Sequence, residues 1–346
     1  MPPDSALLFD AVLAGPYQGE MHWRKWRAET DLDGMSAECV RLLPVLVARS
    51  SEWLVDDPAK NRILGICKRA WTQNQLFLSR LRQLIDSLAR AGITQLGVAG
   101  PAAWALIHQN SKSFRPVGVL ELWVPREEAA RTVQALESLG WLPAPGCELP
   151  EPDGFDYAAG MWFRSEAGEA LKLSWRLFPA PPEFAAEWEA LPQLETVEFQ
   201  GAELRILAKE ALLASALSAD RVGDDFDWRC DASLLLREGE IDWSLVEKWI
   251  RFSPDAKNKV CILARDTDVQ IPEHVLREPK QTRARSQWAA IWADYRRCAW
   301  CEREPRSLSG FLDYLCVRWR APVWQLPFLG LFYVLRYTFS DRARSG

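Results

Sequence analysis

The stretch from Leu88 to Pro125 determines how this 346-residue chain folds. It begins Leu88-Ala-Arg-Ala-Gly-Ile-Thr-Gln-Leu-Gly-Val-Ala-Gly-Pro-Ala-Ala-Trp104 and, after a polar loop, ends Arg115-Pro-Val-Gly-Val-Leu-Glu-Leu-Trp-Val-Pro125. Short apolar runs divided by glycine and proline predict, in order, a helix end, a strand, a tight turn, a short helix, a loop and a second strand. The centre of the chain therefore combines strands with helices.

Two strands and the turn between them carry the pattern. Thr94–Val98 is mostly apolar and bounded by glycine, so it predicts the first strand. Gly100-Pro101 predicts the turn, because proline is favoured at the start of a helix, here Ala102–His108. Side chains alternate along the second strand, Val119–Val124, so one of its faces carries Val119, Glu121 and Trp123.

The flanking regions are predicted to be mainly helical. Residues from Met1 to about Trp71 are interpreted as helices. A long amphipathic helix with apolar residues from Phe77 to Leu88 follows, and Gly92 is placed to end it. Pro125–Leu139 predicts another helix. Towards the C-terminus the helical patterns are Ala208–Ala219, Trp228–Leu236 and Ile241–Ile250.

A hairpin is predicted between these helical regions, after a proline-rich loop that begins near Pro143. Its arms are Tyr157–Arg164 and Ala170–Leu177, with a turn over Glu166–Glu169. Along the second arm, Leu171, Leu173, Trp175 and Leu177 point one way. The opposite face of that arm carries Lys172, Ser174 and Arg176.

Composition limits the classes of function. The chain is 48% hydrophobic and 26% charged, has a net charge of −5 and a pI near 5.5, and so lacks the basic excess typical of nucleic-acid binding. Its eight cysteines have no disulfide-framework spacing and its start lacks a signal segment, so we expect a cytoplasmic protein. The lone Cys298-x-x-Cys301 pair and three dispersed histidines favour buried free thiols over a metal or redox site.

Three further features allow more than one interpretation. Asp31 and Asp33 have the spacing of an Asp-x-Asp metal-binding pair. They lie in a turn-like segment, so a role as turn residues and helix caps is the simpler explanation. The acids at 224, 225 and 227 favour helix capping and a solvated loop over a cation site. The aromatic tail Arg318–Arg336 is predicted to pack on the body of the protein, and a membrane-surface or partner-docking helix is the alternative.

Several landmarks resemble the nucleotidyltransferase fold, and more closely a bacterial family of uncharacterised nucleotidyltransferases. They are Ala91-Gly92-Ile93, the Gly100 turn, Arg115-Pro116, the strand ending Val124-Pro125, Leu139-Gly140-Trp141 and Trp175-Arg176-Leu177. The resemblance implies an α+β fold, a nucleotidyltransferase-like mixed sheet with flanking helices. The implied segments are an N-terminal helical segment 1–90, an α/β core 91–205 and a C-terminal helical segment 206–346.

For an active member, the resemblance implies phosphoryl transfer from a nucleoside triphosphate with Mg²⁺ held by carboxylates on adjacent strands. This chain has Val119, Glu121 and Lys172 at the three acidic positions and Ser174 at a histidine position. Ala99-Gly100 replaces a Lys-Gly pair at the phosphate turn. No catalytic residue or metal ligand is therefore assigned, and the remnant cleft is expected to contain Glu121, Lys172 and Ser174.

The sharpest hypothesis is that Glu121 and Lys172 face one pocket and form an ion pair in place of the metal. The alternative is that Lys172 extends to solvent and Glu121 is a surface residue. Gly100, Arg115 and Arg176 are candidates to hold a nucleotide phosphate or another anion, although either arginine could instead be a structural ion-pair partner.

Two functions remain open. The first is a catalytically impaired protein that binds or regulates a protein partner, with or without a bound nucleotide. The second is a working Mg²⁺-dependent nucleotidyltransferase that uses other acids, such as Asp156 or those near Asp224. No nucleic-acid partner is predicted.

Overall fold

The structure of the chain, a computed structural model, describes residues 3–107, 116–145, 147, 160–178, 194–218, 225–237, 239–251, 253 and 256–276. Arg115, Tyr157, the Cys298-x-x-Cys301 pair and the aromatic tail lie outside these residues. Among the described residues, no helix is both long enough and apolar enough to cross a bilayer.

The N-terminal part is helical, as predicted. Pro16 lies at the start of its second helix, and Ser36 caps the third by accepting a hydrogen bond from the Cys39 N–H at 3.3 Å. The apolar patterns near Trp71 and Leu88 belong to one continuous 31-residue helix rather than two. The described elements are α1 (Pro3–Leu13), α2 (Pro16–Glu29), α3 (Ala37–Arg49), a 3-10 turn (Ser51–Leu54) and α4 (Lys60–Arg90).

Strands and helices alternate in the central part. The first strand begins later than predicted, at Gly97, and Leu142–Pro143, predicted as loop, pairs with the next strand. The elements are β1 (Gly97–Ala99), α5 (Gly100–Ile107), β2 (Leu120–Trp123), α6 (Arg126–Ser138), β3 (Leu142–Pro143), β4 (Gly160–Arg164), β5 (Ala170–Ser174), β6 (Leu194–Phe199) and β7 (Ala202–Leu207).

The seven described strands form one mixed sheet in the order β3-β4-β5-β2-β1-β7-β6. β2 runs parallel to β5 and antiparallel to β1, so the two strands predicted from Leu88–Pro125 lie side by side. The β6–β7 hairpin was not predicted. It turns at Gln200-Gly201, where both residues have positive φ, and places β7 parallel to β1.

The C-terminal helices pack on the sheet. The apolar cluster that contains the buried strand residues also includes Leu213, Trp228 and Val260. A second cluster, mostly from α1 to α3 and the start of α4, is completed by Cys230. The helices are α7 (Lys209–Ser218), α8 (Asp225–Arg237), α9 (Trp243–Ile250), α10 (Ala256–Asp266) and α11 (Glu273–Leu276).

Two arginines tie the N-terminal helices to the C-terminal ones. Arg49 donates to the carbonyls of Val12 and Ala14 at the end of α1, and Arg237 donates to that of Leu13. Asp268 forms ion pairs with both arginines. Burial and the Arg237 charge together lower the pKa of Arg49 to about 10. Helix α1 is therefore fixed at its carbonyl end by charges from two other helices.

Of the described cysteines, Cys39, Cys67 and Cys230 are buried free thiols, Cys147 is half-buried and Cys261 is exposed. The Cys298-x-x-Cys301 pair, for which buried thiols are predicted, lies outside the described residues. Burial raises the pKa of the Cys67 thiol to about 11, so it stays protonated and unreactive at neutral pH.

The glycines that end α4 and α6 have the same backbone geometry. Gly92 and Gly140 have φ of +84° and +83°, and each is followed by a residue whose N–H bonds back to the helix (Ile93 to Leu88, Trp141 to Leu136). They differ in surroundings. A Cβ on Gly92 would lie 2.2 Å from the Arg131 guanidinium, whereas a Cβ on Gly140 would meet no atom within 4 Å.

We expect Gly140→Ala to lower the free energy of unfolding by about 1 kcal/mol, the cost of left-handed backbone for a residue with a Cβ. Gly92→Ala should cost about 1 kcal/mol more, because it also displaces the Arg131 hydrogen bond to the Ala91 carbonyl. Urea unfolding followed by tryptophan fluorescence measures both. Equal losses would show that Arg131 contributes nothing to holding α4 against α6.

Candidate functional site

Three side chains and the adjoining Gly100 turn form a row across one face of the sheet. Strand pairing aligns Trp162 of β4 with Lys172 of β5, Lys172 with Glu121 of β2, and Glu121 with Ala99 of β1. Residues directly opposite each other on neighbouring strands project from the same face. We call Trp162, Lys172, Glu121 and the adjoining Gly100 the cleft row.

An ion pair lies at the centre of the cleft row. Lys172 Nζ is 3.7 Å from Glu121 Oε2, so the pairing predicted from the sequence is confirmed. The Glu121 side chain is only 11% exposed and that of Lys172 is 34% exposed. A carboxylate this deeply buried needs a nearby cation or hydrogen-bond donors, and the lysine supplies a cation while its end still reaches solvent.

Trp162 flanks the pair on the other side of Lys172. The ammonium lies 6.0 Å from the centre of the Trp162 ring, at the limit of a cation–π contact. Sequence reasoning missed Trp162 as part of the site. Its place on β4 became apparent only from strand pairing, since alternation within β4 alone says nothing about which residue of β5 lies opposite.

The Glu121 carboxylate also packs against the turn at Gly100. Gly100 has φ of +56°, and a Cβ there would lie 2.4 Å from the Glu121 Cδ and 2.6 and 2.7 Å from its two oxygens. Only glycine therefore fits both the backbone conformation and the space. The carboxylate of this chain occupies the volume beside the first residue of α5, the turn at which the family resemblance implies a phosphate.

A second row lies on the same face, one pleat further along β5. Ser174 is aligned with Gly160 of β4 and Trp123 of β2, and Trp123 with Gly97 of β1. A Cβ on Gly160 would lie 2.4 Å from the Leu173 carbonyl and 3.1 Å from Ser174 Oγ. Ser174 therefore lies next to the cleft row. Its side chain is buried and not open to solvent.

The other residues predicted for the site lie outside the two rows. Arg176 lies two residues beyond the end of β5 and is half-buried. Val119 lies just before β2 rather than on it. Arg115 is outside the described residues, but nearby Val117 donates its N–H to Asn74 Oδ1 at 2.9 Å. Asn74 is a buried residue of α4 and thereby positions the segment that enters β2.

The aspartates of the candidate Asp31–Asp33 cation site are engaged in turn and ion-pair contacts. Asp31 Oδ1 accepts a hydrogen bond from the Asp33 N–H at 3.0 Å, and Asp33 pairs with Arg62, as expected for a turn. Asp156 and Asp224 are outside the described residues. In the described part of the chain, no group of three His, Cys, Asp or Glu side chains could hold a metal ion.

Comparison with known proteins places this geometry in a family. The family model described as "Uncharacterised nucleotidyltransferase" matches residues 36–251, more than half of the chain. The chain belongs to this family of uncharacterised nucleotidyltransferases. The match contains the cleft row and all seven strands of the sheet.

Structural comparison finds an antigenic nucleotidyltransferase-like protein from Paracoccidioides brasiliensis. That crystal structure is similar to this chain with a TM-score of 0.31 and 13% sequence identity, over 57% of this chain and 94% of the other. No curated protein matches the chain.

The residues of the cleft row do not fit the two Mg²⁺ ions that the nucleotidyltransferase fold implies. Magnesium in such sites is held by carboxylate and phosphate oxygens. Glu121 is the single acid of the row, and the ammonium of Lys172 is already paired with it. The arrangement supplies a near-neutral ion pair and an aromatic ring.

We expect Gly100→Ala to lower the free energy of unfolding by about 2–3 kcal/mol, from left-handed strain and from displacement of the buried carboxylate. In a Glu121→Ala background the same change should cost only about 1 kcal/mol, since the space is then open. A urea double-mutant cycle gives the difference. Identical costs in the two backgrounds would contradict the close packing of Glu121 on Gly100.

We expect Lys172→Met to lower the free energy of unfolding by about 1 kcal/mol at pH 7, because it removes the cation beside a buried carboxylate. Glu121→Gln combined with Lys172→Met should recover part of the loss, since both charges are then gone. Lys25→Met, at an exposed position on α2, is the control. A loss no larger than that of the control would mean that the ion pair adds nothing to stability.

Proposed function

We propose that this family member no longer carries out Mg²⁺-dependent nucleotidyl transfer and acts as a binding or regulatory protein in a bacterial cytoplasmic pathway. The observation that supports the proposal best is the Lys172–Glu121 ion pair in the cleft row. It puts a positive charge where the family resemblance implies a metal-binding carboxylate.

The positive charge of Lys172 repels a metal cation in the cleft row. At 4 Å and an intermediate dielectric, two like unit charges repel by about 4 kcal/mol, and a divalent ion doubles that figure. A lysine at the third acidic position therefore opposes Mg²⁺ more strongly than a neutral residue would. Val119 adds no ligand, so Glu121 alone would have to hold the ion, against the charge of the lysine with which it is paired.

A nucleotide is compatible with this proposal as a ligand. Lys172 is partly exposed and could contact a phosphate without a metal, and Trp162 beside it offers a flat apolar surface. Such binding would be independent of Mg²⁺. The second candidate function, an active enzyme that recruits other acids, has no support from a described residue and is an outcome of the test below.

Nucleotide titration with and without metal tests the proposal. We expect no pyrophosphate release from ATP, CTP, GTP or UTP with 10-fold excess Mg²⁺ over nucleotide, and we expect any binding measured by calorimetry to be unchanged by EDTA. Lys172→Met should weaken that binding, whereas Lys25→Met should not. Magnesium-dependent pyrophosphate release that Glu121→Gln abolishes would overturn the proposal and favour the active enzyme.

The converse experiment restores acids to the cleft. We expect Val119→Asp combined with Lys172→Asp to gain Mn²⁺ binding, measured by electron paramagnetic resonance, because three carboxylates then surround the site. Val119→Asn with Lys172→Asn is the matched control without charge. If the unmodified chain binds Mn²⁺ as tightly as the triple-acid variant, Lys172 does not exclude the metal.

A further inference from the structure

Arg164 is an exposed cation on the face of the sheet that carries the cleft row. Strand pairing aligns it with Ala170 of β5, and Trp162, two residues before it on β4, is aligned with Lys172. Alternate residues of a strand share a face, so all four residues lie on the same side of the sheet. We call Trp162, Arg164, Ala170 and Lys172 the β4–β5 corner.

Nothing in the described part of the chain uses the charge of Arg164. Its neighbours on the adjoining strands, Leu142 of β3 and Ala170 of β5, are both apolar. Its guanidinium forms no ion pair with a described residue. The nearby acid Glu169 is paired with Arg80 of α4. The N–H donors of Arg164 are therefore open to a ligand.

The ion pair with Glu121 leaves Lys172 able to bind a further anion. The ammonium lies 3.7 Å from Glu121 Oε2, longer than a charged hydrogen bond, and the lysine side chain is 34% exposed. Lys172 donates no hydrogen bond to a residue that the structure describes. Its contact with Glu121 is therefore one of charge, and its donors are not used up by the carboxylate.

The two cations of the corner are close enough to act on one ligand. Arg164 and Lys172 are diagonal neighbours on paired strands, which places their Cα atoms about 7–8 Å apart, within reach of long side chains. Ala170 lies beside both, and its side chain is a single, half-buried methyl group. The Trp162 ring centre is 6.0 Å from the Lys172 ammonium. An anion above Ala170 therefore has two cations and an aromatic ring around it.

The Gly100 turn is a less favourable place for a phosphate in this chain. The Glu121 carboxylate lies against it, so close that a Cβ on Gly100 would be 2.4 Å from Glu121 Cδ. A phosphate at that turn would meet a like charge. The β4–β5 corner lies on the opposite side of Lys172, because β5 is between β4 and β2 in the sheet. The lysine therefore separates the corner from the carboxylate.

We infer that the β4–β5 corner binds the phosphate chain of a nucleoside di- or triphosphate without a metal ion. Arg164 holds a phosphate through its planar fork, and Lys172 neutralises the same chain. The base stacks on the half-buried Trp162 ring. The inference rests on the proposed function, because it names the ligand of a cleft that does not hold Mg²⁺. It adds Arg164, to which the family resemblance gives no role.

Calorimetry of the full-length chain in EDTA tests the inference, with ATP and inorganic tripolyphosphate as probes. We expect both probes to bind, and Arg164→Gln to weaken both by about 10-fold or more, because each loses a charged hydrogen bond. Arg205→Gln is the matched control and should change neither affinity. Arg205 is also exposed and forms no ion pair with a described residue, but it lies on β7, four strands away from β4.

Trp162→Leu separates the ring from the phosphate contacts. We expect the affinity for ATP to fall by about 10-fold from lost stacking, and the affinity for tripolyphosphate to stay the same. Trp162→Phe keeps an aromatic ring and should recover most of the ATP affinity. Thermal melting of each variant shows that it is folded at the temperature of the titration. Equal losses for ATP and tripolyphosphate would contradict stacking on Trp162.

Chemical protection locates the phosphate directly. Phenylglyoxal modifies exposed guanidinium groups, and peptide mass spectrometry gives the extent of modification at each arginine. We expect saturating ATP to protect Arg164 and to leave Arg205 as reactive as before. If Arg164 reacts equally with and without ATP, the phosphate lies elsewhere, for example at the Gly100 turn, and the inference is overturned.

Three other results would overturn the inference: no saturable binding of either probe in EDTA, binding that requires Mg²⁺, or equal losses of affinity in the Arg164 and Arg205 variants. The proposed function fails separately. Magnesium-dependent pyrophosphate release that Glu121→Gln abolishes contradicts it whether or not Arg164 binds phosphate. A chain that binds no nucleotide and releases no pyrophosphate contradicts the inference alone, because a protein partner needs no nucleotide.

Discussion

The buried carboxylate of Glu121 is the constraint on which the cleft depends. It lies against a residue that must be glycine, beside the first turn of α5 and one strand away from a lysine. A charge so poorly exposed to water must be compensated locally, because the interior screens it weakly. The Lys172 ammonium provides that compensation from the neighbouring strand, and the Trp162 ring centre lies 6.0 Å from the ammonium.

The same arrangement balances the charge of the cleft row without a metal ion. In a metal-dependent site, the ion and several acids balance one another, and loss of the ion leaves repelling carboxylates. Here one acid and one base balance directly, in register on parallel strands. The Glu121 charge is then balanced without a metal ion, and the carboxylate fills the space beside the Gly100 turn.

Sequence alone was sufficient for most of the helices and central strands and for the hypothesis of the ion pair, and insufficient for the neighbours across strands. Alternation along Val119–Val124 and Ala170–Leu177 placed Glu121 and Lys172 on definite faces, and the resemblance placed the strands side by side. Trp162 and the Gly160–Ser174 contact were not predictable, because they depend on the register of an antiparallel pair that no residue pattern fixes. The β6–β7 hairpin was missed since its edge strand, Leu-Glu-Thr-Val-Glu-Phe, neither alternates strictly nor contains a strong apolar run.

Helix α4 contributes to both apolar clusters, one around the sheet and one among the N-terminal helices. From Asn74 onward it is fixed to the sheet, since Asn74 holds the segment entering β2, and Arg80 and Arg82 reach the β4–β5 and β6–β7 turns. Before Asn74, the same helix packs Ile63 and Cys67 against the N-terminal helices. The segment that enters the strand carrying Glu121 is therefore positioned from α4, in part by the hydrogen bond that the Val117 N–H donates to Asn74 Oδ1.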